Sequence, residues 1–180
     1  MTRLFILIIS LFAWTGGPDG SPSTVQEIRQ AYAAAHQMIE DSHHPGVPRN
    51  ELVENIEYMI PALGTTYETF CCYYQQALDE TDWTTRYHPY FITRKYNMSV
   101  KNIYEEYLYD TETGRLLFVF IQTDMGDDSP LNEERYYYGP DGLISTVIKG
   151  ERTIADGKLG VFAKILRDSV KIRLDANARR

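Results

Sequence analysis

Cysteine is nearly absent from this sequence, and the two that occur, Cys71 and Cys72, are adjacent. They sit in TYETFCCYYQQ, a β-branched and aromatic run that predicts a strand. Successive strand side chains face opposite ways, so the two thiols diverge and a bond between them would need strained geometry. They read as small packing residues rather than redox or metal groups, and 180 residues are enough for one core without disulfides.

An excess of positive charge is also missing. Eighteen Lys and Arg stand against 25 Asp and Glu, a formal net charge of -7, which argues against nonspecific affinity for phosphate backbones or anionic membrane surfaces. Nucleic acid is therefore not an expected partner. The sequence carries no nucleotide-binding Gly-rich loop, no nucleophile elbow, no Cys/His metal framework and no catalytic dyad at a recognisable spacing. These absences point away from an enzyme and leave no cofactor or metal to expect.

Long apolar runs are lacking too. The longest, Leu4 to Trp14, is broken only by Ser10 and is too short to span a bilayer as a helix. With Arg3 before it and small, Gly- and Pro-rich residues after it, the run reads as a signal peptide cleaved between Thr15 and Gly20. Residues 1–20 are thus signal peptide and the start of a linker, and residues 21–180 a single domain, exported to the periplasm or secreted. No Cys follows the run, so the usual bacterial lipid attachment is unavailable and no stable membrane anchor is expected after cleavage.

What is present begins with Thr24-Val25-Gln26-Glu27, a capping box. Val25, Ile28, Tyr32, Ala35 and Ile39 recur at helical spacing and predict an amphipathic helix ending near Ser42, before Pro45 and Gly46. From Glu51 the period becomes two, predicting strands over Glu51 to Ile60, Thr65 to Gln76 and Ile92 to Val100. The polar stretch Ala77 to Arg86 reads as a connection able to hold a short helical turn, and a slipped alternation near Asn102 as a bulge or a turn. Lys158 to Leu174 fits a helix through Phe162, Ile165, Leu166, Ser169 and Ile172, or a strand through Val170, Ile172 and Leu174; length favours the helix. From Lys158 to Arg180 there are 7 basic and 2 acidic side chains, while residues 21–157 hold 10 basic and 22 acidic. That asymmetry predicts a C-terminal segment docked on its own acidic body, with docking on another chain as the alternative.

Two stretches nearly repeat one another: EEYLYDTETGRLLFVF from Glu105 and EERYYYGPDGLISTVI from Glu133. Glu106 with Glu134, Tyr109 with Tyr137 and Gly114 with Gly142 correspond at an offset of 28 residues. Each copy predicts a β-hairpin, with Gly114 and Gly142 supplying the positive φ of the turn and Pro140 presetting its entry. LLFVFI, from Leu116, is apolar at both parities and predicts a central strand covered on both faces. The fold class is α+β: an N-terminal helix packed on an antiparallel β-meander, with a C-terminal helix.

Fourteen tyrosines are the compositional anomaly. A tyrosine packs as an apolar ring while its hydroxyl reaches water, so many suit an amphipathic sheet face. They also suit a face that stacks on sugars or clamps a peptide, and Tyr107, Tyr109, Tyr136, Tyr137 and Tyr138 are the candidate ligand-binding residues. His36, Glu40 and His43 share a helix edge without matching a zinc signature. DMGDDS, from Asp124, lacks the ligand spacing of a calcium loop, and Asn97-Met98-Ser99 fits a glycosylation acceptor. A carboxylate-based hydrolase would need one carboxylate from each hairpin, for instance Glu106 and Glu134.

The order of signal peptide, IRQAYAAAHQMIE helix, NIEYMIPALGTTYET and two Tyr-rich hairpins resembles small exported bacterial proteins that are uncharacterised, over most of residues 24–150. The hairpins are similar to MORN-like tyrosine and glycine repeats. The resemblance brings no activity and no functional residue with it. The expected function is that of an exported, noncatalytic binding module for a glycan, a peptide or an envelope protein; the alternatives are the hydrolase, or an assembly partner docking through the basic C-terminal segment.

Overall fold

The structure is a computed structural model and describes residues 20–152 and 156–177. The chain runs α1 (Val25–Ser42), β1 (Glu51–Ile60), β2 (Gly64–Asp79), β3 (Thr84–Met98), β4 (Lys101–Tyr109), β5 (Leu116–Asp124), β6 (Asn132–Gly139), β7 (Gly142–Lys149) and α2 (Asp156–Asn177). The seven strands form one antiparallel sheet in sequence order. One helix covers each face, giving an α+β arrangement of three layers. The expected signal peptide lies outside the described residues, apart from Gly20 at its boundary. Both core clusters fall entirely within the described residues, so a chain beginning at Gly20 retains them.

Helix α1 starts where its capping box places it: the Glu27 amide donates to Thr24 Oγ1 (3.2 Å) and the Thr24 amide to Glu27 Oε2 (2.9 Å). The Ser23 amide donates to the same carboxylate at 2.8 Å, and these bonds hold the Glu27 carboxyl below its ordinary pKa. Thr24→Ala is expected to destabilise the fold by about 1 kcal/mol, read as a lowered urea midpoint with unchanged slope. The predicted stripe of Val25, Ile28, Tyr32, Ala35 and Ile39 is the face that packs, against Phe91, Leu108, Leu117, Phe118 and Tyr137.

Helix α2 covers the other face. It docks through Leu159, Ala163, Leu166, Val170 and Leu174 onto Phe70, Cys72, Ile92, Tyr107, Tyr109, Val119 and Tyr136. The helix was expected, but its buried stripe is rotated from the expected one: Ile165 and Ile172 face outward, and Phe162 sits at the edge, its ring 6.1 Å from that of Tyr107 and over Arg94. Leu159, Ala163, Val170 and Leu174 are the buried residues the expected helical stripe omits, and the Ala163 carbonyl receives the Tyr109 hydroxyl at 2.8 Å. The docking is mainly apolar, with Arg173 bonded to Glu54 of β1 and Arg167 to the Gly114 carbonyl at its margins.

Both predicted hairpins form, with φ at +68° for Gly114 and +115° for Gly142. Ala77 to Arg86 holds no helical turn; β2 and β3 run on through it, Ala77 pairing Arg86, Leu78 pairing Thr85 and Asp79 pairing Thr84. The slip near Asn102 is a tight turn, with Met98 pairing Lys101 and Ser99 at φ +56°. Strand β5 is covered on both sides: Leu117 and Phe118 meet α1's cluster, Val119 and Ile121 that of α2.

Candidate functional site

The five tyrosines expected to line a ligand face are all buried. Tyr107, Tyr109, Tyr136 and Tyr138 lie in the cluster beneath α2, whereas Tyr137 points to the α1 side. The expectation presumed one solvated sheet face, and over the central strands each face carries a helix. The rings of Tyr107, Tyr109, Tyr136 and Tyr138 therefore build the core.

Register also reassigns the repeat. Glu105, Tyr107 and Tyr109 share the α2 side of β4, and Glu134, Tyr136 and Tyr138 share the same side of β6. In each copy the glutamate accepts from the tyrosine two residues on: Tyr107 Oη donates to Glu105 Oε2 at 2.8 Å, and Tyr136 Oη donates to Glu134. The repeated unit is Glu-x-Tyr-x-Tyr, so Glu134 matches Glu105. Glu106 lies on the opposite face, where Tyr32 and Tyr104 donate to its two oxygens at 2.7 and 2.8 Å. Glu106 and Glu134 are thus separated by the sheet and cannot flank one scissile bond, which removes that version of a hydrolase.

Beneath the first turns of α2, Arg94 of β3 bridges two carboxylates. Its Nε and Nη2 donate to Glu68 at 2.7 and 3.1 Å, and its Nη1 donates to Glu105 at 3.0 Å. Tyr96 Oη also donates to Glu105, at 2.8 Å, and the guanidinium lies between the rings of Tyr96 and Phe162. A cleft of about 270 Å³ opens beside this network, lined by Arg94, Tyr96, Glu105, Lys158, Leu159 and Phe162. Its Arg94 and Glu105 already satisfy one another, so this group is built as packing support.

A second cleft of about 270 Å³ lies on the other face, between α1 and strands β5 and β6. Phe118 and Phe120 form its floor, Ile28 and Tyr32 one wall, and Arg29, Arg135 and Tyr137 complete the lining. Arg135 lies over the Phe120 ring, 5.0 Å from its centroid, and one of its nitrogens meets Glu133 at 3.0 Å. Arg29 sits 5.6 Å from the Tyr137 centroid, and its Nε makes one long bond, 3.5 Å, to the Tyr137 hydroxyl. Both guanidiniums therefore retain N–H groups at a partly apolar opening, which suits a planar anion accepting two parallel hydrogen bonds. Neither arginine is singled out by sequence; the signal that could have found them is Arg135's place beside Phe120 across a strand pair.

Other candidates have structural employment. His36 packs on Tyr32 and Phe91 at centroid distances of 4.4 and 4.9 Å. Among the described residues no three His, Cys, Asp or Glu side chains come together as a metal site. Asp124 and Asp127 accept from the Gly126 and Ser129 amides, both at 2.9 Å, as turn residues do. Asn97 accepts from the Tyr67 amide at 2.6 Å and donates to the Thr65 carbonyl at 3.0 Å, so its amide ties β3 to β2. Cys71 and Cys72 are free thiols on opposite faces, and burial pushes both upward in pKa, away from thiolate chemistry.

No known protein family matches the chain, and neither a curated protein nor a solved structure does. No described helix is long and apolar enough to cross a membrane.

Proposed function

We propose that this is an exported, noncatalytic binding module, and that its ligand is an acidic sugar of an extracytoplasmic glycan held in the cleft between α1 and the sheet. The observation that carries this is the pairing of Arg29 and Arg135 over an aromatic floor of Phe118 and Phe120. An aromatic floor takes the apolar face of a pyranose ring, and two guanidinium forks take its carboxylate. Of the tyrosines first expected to bind, Tyr137 keeps that role, as a cleft wall.

Calorimetric titration with uronic-acid oligosaccharides tests the reading, using the carboxyl-reduced sugar and a glutamate-rich peptide as comparisons. Arg135→Gln is expected to weaken binding about 10- to 100-fold, the loss of one or two charge-assisted bonds. Equal affinity for the charged and reduced sugars would remove the arginines from the site. Binding of the peptide alone would overturn the sugar assignment.

A further inference from the structure

Strands β2 and β3 outrun the sheet. The last β1 partner of β2 is Tyr73 and the last β4 partner of β3 is Phe91. Beyond them Gln75 to Asp79 and Thr84 to His88 pair only with each other. A two-stranded ribbon by itself is marginally stable in water. This one is braced by the edge-to-face pair Tyr74 and Tyr87 at its base, and at its tip by Arg86 bonded to Asp79 (3.3 Å) and Asp82 (2.6 Å). Asp79 and Asp82 also receive the Thr81 and Thr84 amides. The turn is thus a built structure, and it displays apolar side chains: Trp83 is 75% exposed at φ +56°, and Leu78 is 56% exposed. Asp79, Glu80 and Asp82 surround them, outweighing Arg86.

A surface of opposite character lies on α2. Val161, Ile165 and Ile172 form a second, exposed apolar stripe on the side away from the sheet. Lys158, Lys164 and Lys171 flank it and outnumber Asp168, which Arg167 neutralises, and Asp175; of the two arginines, Arg167 bonds Asp168 and the Gly114 carbonyl, and Arg173 bonds Glu54. A second, bare apolar stripe on a helix is surface of the kind that a partner covers.

We propose that the protein self-associates, the β2–β3 arm of one copy laying Trp83 and Leu78 on the Val161, Ile165 and Ile172 stripe of α2 in a second copy. The occupant is assigned by charge and shape: an acidic, tryptophan-tipped projection meets a lysine-flanked apolar strip, and both belong to this chain. Reciprocal exchange of arms closes the assembly as a two-fold dimer. An anionic membrane surface does not fit the acidic tip, which it would repel.

The test uses the chain from Gly20, in which Trp83 is the one remaining tryptophan because Trp14 precedes it. Sedimentation equilibrium is expected to show a monomer–dimer equilibrium, and dilution to shift the Trp83 emission to the red as the ring returns to water. Trp83→Ala is expected to weaken association about tenfold or more, as truncating an interface anchor does. Glu80→Lys and Lys164→Glu are each expected to weaken it and their combination to restore it, with circular dichroism unchanged in all three. A chain monomeric at every concentration reached would overturn the proposal, as would a dimer indifferent to Trp83→Ala or unrestored by the charge exchange.

Discussion

Replacing Arg94 with Ala is expected to cost about 3–5 kcal/mol, because it leaves two carboxylates buried with no counter-charge. Side-chain exposure is 13% for Arg94, 9% for Glu68 and 2% for Glu105, so water cannot take over the guanidinium's role. The same arginine fills the space between Tyr96 and Phe162, and its loss also opens a gap under α2. For a chain of this size the change corresponds to a fall in Tm of roughly 10 °C. Arg94→Lys is expected to recover little, since one ammonium cannot reach Glu68 through two nitrogens and Glu105 through a third. The triple variant Glu68→Leu, Arg94→Met, Glu105→Leu is expected to recover only part of the loss, because it removes the buried charges but leaves the Tyr96 and Tyr107 hydroxyls without their Glu105 acceptor. If Arg94→Ala melts with the parent, the bridge contributes nothing to stability.

The second large effect is expected in alkali. Burial pushes Tyr90 up to about 12, and raises Tyr73 and Tyr109 as well. Burial is also the first cause for Tyr32, Tyr96, Tyr104 and Tyr107, reinforced by the carboxylates of Glu105 or Glu106 that accept their hydroxyls. A folded pKa above the unfolded value of 10.0 means the native state holds its proton more tightly. The associated stability is whole below pH 10 and is lost as pH rises from there toward the folded pKa. The buried Tyr107 and Tyr109 each remove about 1.4 kcal/mol per pH unit in that window, and the others less because water screens them, so together they give a steep collapse. Tyrosinate absorbance and far-ultraviolet circular dichroism, followed on the same samples, are expected to change together in one step above pH 10 for this group. Smooth ionisation of all fourteen tyrosines with the dichroism intact would show that the rings are accessible.

Much of the fold was legible, and what was misread depends on tertiary contacts rather than on local chemistry. The capping box at Thr24 and the stripe from Val25 to Ile39 specify a helix end and face by local chemistry, and both hold. The two Gly turns specify hairpins for the same reason. The face on which a strand residue lies is not local, because one residue more in a turn inverts every side chain beyond it. The turn after Tyr109 reaches its glycine one residue later than the turn after Tyr138, so alignment on Gly114 and Gly142 matched Glu106 with Glu134 and put the tyrosines out of step. Helix α2 misled in a related way: it carries two apolar stripes, and only docking against Tyr107 and Tyr109 selects Leu159 and Ala163 over Val161 and Ile165. Ala77 to Arg86 looked like a connection because its residues are polar, which is also how a ribbon solvated on both faces must look. The cleft between Arg29 and Arg135 joins residues far apart in sequence, and no spacing rule reaches across that distance.

The strand order has a kinetic consequence. Each strand is bonded only to its sequence neighbours, so every pairing in the sheet closes a short loop and loses little chain entropy in doing so. Strand finding should be quick and could begin at any hairpin, in whatever order segments emerge from a ribosome. The slow encounters are those of the two ends: α1 must return to β5 and β6, and α2 to β2 and β3, across roughly half of the chain's length. Until they land, the central strands hold Phe118 and Tyr107 open to water, and the interval before helix docking is when this protein is most exposed to a chaperone or to misassembly.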